Sequence, residues 1–115
     1  MLRGALPVIL AVTLGACSSD SGGSAPTAPT SLTATVLGAG AHLTWKDNSK
    51  DEDEFVVMRQ QMGVDTAMKE IGTVPFNGVT FHDEPITSGA TYLYQVMASN
   101  GGGDSASNQV TFVAP

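Results

Sequence analysis

The sequence has few of the residues that usually signal a disulfide framework or a nucleic-acid contact. Cys17 is the only cysteine among 115 residues, so no disulfide can form within the chain. Lys and Arg together number 5 against 11 Asp and Glu, which gives a formal net charge of −6. Nucleic-acid binding depends on clustered Lys and Arg that neutralise phosphates. No such cluster exists here, and we expect no nucleic-acid partner.

The sequence also lacks an apolar run long enough to span a bilayer, which takes about 20 residues. A shorter apolar run over 5–14 follows one positive charge and has the size of a signal-peptide core. It ends in Leu14-Gly15-Ala16-Cys17, which resembles the lipobox of bacterial lipoproteins. The resemblance implies cleavage before Cys17, a signal peptide over 1–16 and a lipid on the Cys17 thiol. The alternative is an ordinary cleaved signal peptide with a free thiol at Cys17.

Lipidation at Cys17 would make the membrane the first partner of the protein, since several acyl chains together anchor it stably. Ser18 rather than Asp follows the cysteine. A residue other than Asp after the cysteine resembles the default signal for export to the outer membrane in lipoproteins of Gram-negative bacteria. We therefore expect an exported protein, anchored to the outer membrane if the host is Gram-negative. Replacing Cys17 with Ser should release the protein from membranes.

The segment after Cys17 is rich in Ser, Gly, Ala, Pro and Thr and contains no bulky apolar residue. Such a composition cannot bury a core. We therefore expect residues 17–29 to be a disordered tether that spans roughly 20 Å, and residues 30–115 to be one folded domain. A domain of this size buries about two-thirds of its unfolded surface and can fold without metal or disulfides.

The most informative stretch lies over residues 89–100. A period of two places Tyr92, Tyr94, Val96 and Ala98 on one face, which predicts a strand against a second layer. Six other short runs, the fourth of them a looser strand, lie between Gly, Pro and Asn-Gly turns. These seven predicted strands lie over 31–36, 41–45, 55–60, 68–73, 79–83, within 89–100 and over 108–113. The fold class we expect is an all-β, seven-stranded antiparallel sandwich of immunoglobulin type.

The chain closely resembles a fibronectin type III domain. The matching residues are Leu43-Thr44-Trp45, Phe55 with Val57, and the spacing Ile86, Gly89, Tyr92, Tyr94, Val96, Ala98 and Asn100. The resemblance implies that the Tyr92 hydroxyl bonds to the backbone near Ile86. It also implies that Ile86 closes the bottom of the core and Trp45 fills its centre, with Tyr94 and Val96 beside them. These five residues are expected to build the fold rather than bind a ligand.

No arrangement of residues indicates catalysis. His42 and His82 are the only imidazoles and fall on different predicted strands, while His82 and Asp83 are adjacent on one strand and point to opposite faces. The sequence has no Gly-x-Ser-x-Gly nucleophile turn. Gly101-Gly102-Gly103 lacks the Lys of a phosphate loop. We expect neither an enzyme nor a cofactor.

Two features are candidate binding sites. The acidic loop over 46–54 offers oxygen ligands for calcium, with Asp47, Asp51 and Asp53 as the candidates beside Asn48, Glu52 and Glu54. It lacks the EF-hand spacing, so a solvated loop is the favoured interpretation. The outward faces of the third and sixth strands carry Val56, Met58, Leu93 and Met97. These four side chains could form an apolar partner patch; the favoured alternative is that Gln60, Gln95 and Lys69 cover them.

The sequence therefore predicts a membrane-anchored envelope lipoprotein with one non-catalytic domain that binds or scaffolds an envelope protein. The alternatives are a passive envelope spacer and an accessory module associated with calcium or carbohydrate. The single tryptophan is already assigned to the core, which disfavours sugar stacking. We expect a monomer.

Overall fold

The computed structural model describes residues 24–115, and all regular structure within that range is β. No helix that is long and apolar enough to cross a bilayer occurs in the described range. The predicted signal peptide and Cys17 lie outside the described residues. The strands are β1 (Thr30–Leu37), β2 (Gly40–Lys46), β3 (Glu54–Gln61), β4 (Lys69–Pro75), β5 (Thr80–Asp83), β6 (Thr91–Asn100), β7 (Gly103–Ala106) and β8 (Val110–Val113).

The strands form two antiparallel sheets. One has three strands in the order β1-β2-β5. The other begins β4-β3-β6, and both β7 and β8 pair with the remaining edge of β6. The two sheets pack face to face, as the alternation of buried and exposed residues requires. The all-β immunoglobulin-type sandwich predicted from the sequence is confirmed.

The sequence predicted one last strand over 108–113. The structure has β8 within that range and a further short strand, β7, before it. β7 pairs with the end of β6 at Met97–Asn100, and β8 pairs with its start at Thr91–Tyr94. Between them, the Ser107 hydroxyl accepts a hydrogen bond from the Val96 amide over 3.0 Å. β7 was missed because Gly103-Asp104-Ser105-Ala106 has no apolar alternation. Counted as one interrupted strand, β7 and β8 complete the expected seven.

The core lies between the inner faces of the two sheets. Leu43 and Trp45 of β2 point inward, as predicted, and face Phe55 and Val57 of β3. Sheet-to-sheet contact is close at Gly72, where an added Cβ would lie 2.7 Å from the Phe81 ring. The prediction that Val36 points into the core is wrong, since this side chain is exposed. Val36 lies next to a turn on an edge strand, where the second sheet does not cover it.

The folded part of the chain begins earlier than the predicted boundary at residue 30. Pro26 and Pro29 are buried. The Asn48 side-chain amide donates to the carbonyl of Ala28 over 3.1 Å, and that of Asn100 donates to the carbonyl of Ser24 over 3.2 Å. Residues 24–29 are thus packed on the domain rather than part of a free tether, because two prolines supply the apolar surface that the composition seemed to lack.

Candidate functional site

A buried polar bridge connects the two sheets. Asp83, at the end of β5, is 8% exposed and points into the sandwich. Its carboxylate accepts hydrogen bonds from the Tyr94 hydroxyl at 2.6 Å and from Nη1 of Arg59 at 3.0 and 3.2 Å. Arg59 and Tyr94 are themselves cross-strand partners on β3 and β6. The bridge therefore joins β5 of one sheet to two strands of the other.

The electrostatics of this bridge favour a charged Arg59 and a neutral Tyr94. Burial raises the pKa of Tyr94, and the neighbouring Asp83 carboxylate raises it further. Burial alone would lower the pKa of Arg59, but the bond and charge of Asp83 outweigh it, so the net direction is upward. The Arg59 guanidinium also lies 5.2 Å from the ring centroid of Tyr92. Because the pKa values of Arg59 and Tyr94 are both raised, neither side chain donates a proton near physiological pH.

The core residues implied by the resemblance lie inside the sandwich. The Thr87 amide donates to the Tyr92 hydroxyl over 2.8 Å, one residue from the position expected. Trp45 is buried with its ring centroid 5.6 Å from that of Phe55. Tyr94 and Val96 are fully buried, and Ile86 is half-buried against the core. Burial leaves the rings of Trp45, Tyr92 and Tyr94 no surface on which to stack a ligand.

The acidic loop does not bring its three candidate ligands together. Asp47 accepts from the Ser49 amide over 2.9 Å, whereas Asp51 accepts from the Ser49 hydroxyl over 2.6 Å. The Asp53 amide bonds to the carbonyl of Ser99 over 2.7 Å, which ties this part of the loop to the end of β6. Within residues 24–115, no three His, Cys, Asp or Glu side chains have the geometry to hold a metal ion.

Glu52, one of the oxygen ligands that the loop offers, makes a buried contact that the sequence did not predict. It is 6% exposed, and its Oε2 accepts from the Asn77 amide over 3.0 Å while its Oε1 is buried without a partner. Burial would raise the pKa of Glu52, but the hydrogen bonds from the Asn77 and Glu52 amides reverse the direction and lower it. Burial and the adjacent Glu52 raise the pKa of Asp47. Glu52 thus fastens the loop to the turn before β5.

The four residues of the predicted partner patch do share the outer face of the five-stranded sheet. Val56 lies opposite Met97, Met58 opposite Gln95, and Leu93 opposite Gln60. Val56, however, is only 9% exposed, and Met58, Leu93 and Met97 are half-buried. The expectation of an exposed side chain is wrong for Val56, because it lies between two paired strands and opposite a long methionine. The glutamines interrupt the remaining apolar surface.

More exposed apolar surface lies around one end of the sandwich. Leu37 ends β1, Met62 follows β3, and Val113 ends β8. Met62 bonds through its amide to the carbonyl of Thr91, which pairs with Val113. A cavity of about 200 Å³ at this end is lined by Gly38, Ala39, Gly40, Ile86, Ser88, Ala114 and Pro115. We call this region the apolar end.

The histidines are closer together than their separate strands suggested. His42 lies directly opposite His82 across β2 and β5. His82 bonds to Glu84, two residues along, while Asp83 points to the opposite face, as predicted. Neither imidazole bonds to a Ser, Thr or Cys side chain within the described range, so the pair does not form a nucleophile and base.

Comparison with known proteins gives the same fold. No protein-family model matches the chain, and no curated protein matches it. Among solved structures, an Fn3-like protein from Clostridium thermocellum is 27% identical, with a TM-score of 0.64 and coverage of 80% of this chain and 96% of the other. A structure described as a myokine is 26% identical, with a TM-score of 0.65 and coverage of 79% and 99%. The chain has the fold of a fibronectin type III domain.

More distant similarities support the fold alone. The FN3 domain of human collagen XX is 16% identical with a TM-score of 0.66, and the match covers 85% of this chain and all of that domain. Pectate lyase PelI from Erwinia chrysanthemi is 23% identical with a TM-score of 0.65, but the match covers 28% of the lyase. The FN5 domain of Drosophila Lar, 21% identical with a TM-score of 0.63, likewise shares this fold, and the match covers 78% of this chain and 97% of that domain.

Proposed function

We propose that the protein is a lipid-anchored component of a bacterial envelope whose single fibronectin type III-like domain is a non-catalytic protein-binding or scaffolding module. The observation that carries the proposal is the order of elements along the chain. A signal-like apolar run ends in Leu14-Gly15-Ala16-Cys17, and Pro26, only nine residues after the cysteine, is already buried in the domain.

The position of Ser24 supports an orientation for the anchored domain. The carbonyl of Ser24 accepts from Asn100 at the end of β6, whereas the apolar end surrounds Thr91 at its start. These two ends of β6 are about 30 Å apart at a rise of 3.3 Å per residue. Seven extended residues reach at most about 25 Å. A lipid on Cys17 would therefore hold the acidic loop near the membrane and direct the apolar end away from it.

The anchor is tested by mass spectrometry of the N-terminal peptide isolated from the native host. We expect the mature chain to begin at Cys17 and to carry the added mass of acyl chains. The Cys17→Ser variant should lack that mass and leave the membrane fraction, while the matched Ser18→Ala variant should keep both. An unmodified Cys17, or a mature chain that begins elsewhere, would disprove the anchor.

Binding is distinguished from passive spacing by crosslinking in the native envelope. Leu37→Asp tests the apolar end and Met97→Asp tests the outer face of the five-stranded sheet. A binding module should lose its crosslinked product in one variant while both keep their fold. A spacer should give the same crosslinks in both variants and the parent. An accessory module that binds calcium predicts instead that millimolar calcium raises the melting temperature.

A further inference from the structure

Two imidazoles stand side by side on the outer face of the three-stranded sheet. His42 of β2 and His82 of β5 are directly opposite in the register, and their ring centroids are 6.2 Å apart with the planes tilted by 44°. Their strand neighbours Leu43 and Asp83 point into the core, which directs both histidines outward. The His82 side chain is 34% exposed, so solutes can reach its ring.

Glu84 orients one of the two rings. Its Oε1 lies 2.6 Å from Nε2 of His82, and Nδ1 of His82 makes no hydrogen bond within the described residues. Gly40 makes room for this contact, because an added Cβ there would lie 2.8 Å from Cβ of Glu84 and 3.1 Å from Cε1 of His82. A carboxylate on one ring nitrogen, with the other nitrogen available, is the arrangement that fixes metal-ligating histidines in proteins.

His42 has a nitrogen that the fold leaves unsatisfied. Its Nδ1 is buried and has no hydrogen-bond partner. Such atoms are uncommon, since most buried polar side-chain atoms are hydrogen-bonded. The nitrogen lone pair of a neutral imidazole binds divalent transition-metal ions. An ion shared by the two rings would satisfy this atom and use the nitrogen of His82 that Glu84 does not engage.

We propose that His42 and His82 bind one divalent transition-metal ion of the imidazole-binding class, such as Cu²⁺ or Zn²⁺, with Glu84 as a positioning residue. The protein supplies two ligands, which agrees with the lack of any three-residue metal geometry in the part of the chain described. The other coordination positions are open to water or to a ligand. Affinity should be greatest for Cu²⁺ among first-row divalent ions. Calcium and magnesium, which take oxygen ligands, should not bind here.

The proposal is tested by isothermal titration of the full chain in detergent with Cu²⁺ and with Zn²⁺. All variants carry Cys17→Ser, because a thiolate also ligates these ions. We expect one ion per chain in this parent and loss of that binding in both His42→Asn and His82→Asn. Glu84→Gln should weaken it by about 10–100-fold without changing the stoichiometry. Thr80→Asn, two residues from His82 on the same face, should bind as the parent does.

Binding that is unchanged in either histidine variant, or lost equally in Thr80→Asn, would overturn the proposal. Circular dichroism of each variant shows whether it is folded. Should a histidine variant fail to fold, the parent itself supplies the test through paramagnetic broadening by Cu²⁺. The amide resonances of β2 and β5 around the pair must broaden first. Broadening centred on the acidic loop would contradict the assignment.

Discussion

The hydroxyl of Tyr94 lies 2.6 Å from Oδ2 of Asp83, and this one bond joins a strand of each sheet inside the core. The same carboxylate is held by Arg59 at 3.0 Å. Burying an ion pair costs desolvation free energy, which good geometry and additional hydrogen bonds can offset. Removing one partner alone is costly, because it leaves an uncompensated buried charge.

Asp83→Ala should therefore lower the free energy of unfolding by about 3–5 kcal/mol. The Arg59 guanidinium would be left partly buried without its counter-ion, and the Tyr94 hydroxyl would lose its acceptor. Urea denaturation measures the effect, with Asp104→Ala on the exposed strand β7 as the control. The triple replacement Asp83→Leu, Arg59→Met and Tyr94→Phe should recover most of the loss. A single variant as stable as the parent would contradict this account.

Tyr92→Phe should destabilise the domain by about 1–3 kcal/mol, because the Thr87 amide loses its acceptor in a part-buried position. The ring itself stays in the core, so the effect isolates the hydroxyl. Thermal unfolding detects it readily, since 1 kcal/mol corresponds to about 4–8 °C in a domain of this size. Tyr94→Phe serves as the comparison for a tyrosine whose hydroxyl bonds a carboxylate instead. An unchanged Tm in Tyr92→Phe would show that the hydroxyl closes no loop.

The fold was predictable because its strands alternate clearly. β6 shows buried residues at every second position from Tyr92 to Ala98, as the sequence indicated. The polar bridge was within reach of the same reasoning, since the period from Phe55 and Val57 continues to Arg59, and that from Phe81 continues to Asp83. Charged residues, however, are rarely buried unless they are paired. Pairing across sheets is not visible in one sequence.

The loops were less predictable for a physical reason. Burial of Glu52 depends on the amide of Asn77, a contact between residues 25 positions apart. No local pattern encodes such a contact, so the loop resembled any solvated acidic segment. The histidine pair likewise follows from the register of β2 on β5, and alternation assigns faces but not register across distant strands. Such candidate sites emerge only from tertiary pairing.

The pH dependence of the free energy of unfolding should reveal the contribution of the Glu52 carboxylate to stability. Its pKa in the folded chain is lowered from 4.5, so the folded state holds fewer protons than the unfolded state in this range. Its contribution to stability is therefore present above about pH 4.5 and lost as the pH falls through the folded pKa. The pH dependence contributed by Asp47 has the opposite sign. Its pKa is raised from 3.8, so its contribution to stability is lost as the pH rises through its pKa in the folded chain.

Glu52→Gln should accordingly lose less stability than the parent as the pH falls from about 5 to about 3. The free energy of unfolding by urea, measured at several pH values, gives the difference curve between the two. Glu70→Gln removes one charge at an exposed position on β4 and serves as the control. Parallel curves for the parent and Glu52→Gln would contradict the assigned pKa direction.

The last prediction concerns the boundary of the domain. A chain that begins at Ser24 should be as stable as the full chain, whereas one that begins at Thr30 should lose about 2–4 kcal/mol. The shorter chain lacks buried Pro26 and Pro29 and the carbonyls of Ser24 and Ala28 that bond to Asn100 and Asn48. Urea unfolding of both truncated chains measures the difference. Asn100→Ala is made in both chains, because the Asn100 side chain also bonds to Asp51 and Gly102, and only the effect that differs between the chains belongs to the bond with Ser24. Because these residues fasten the N-terminal segment to the end of β6, their removal would also free the direction in which the domain stands from its proposed anchor. Equal stability of the two truncated chains would show that residues 24–29 do not stabilise the domain, and it would remove the support for that orientation.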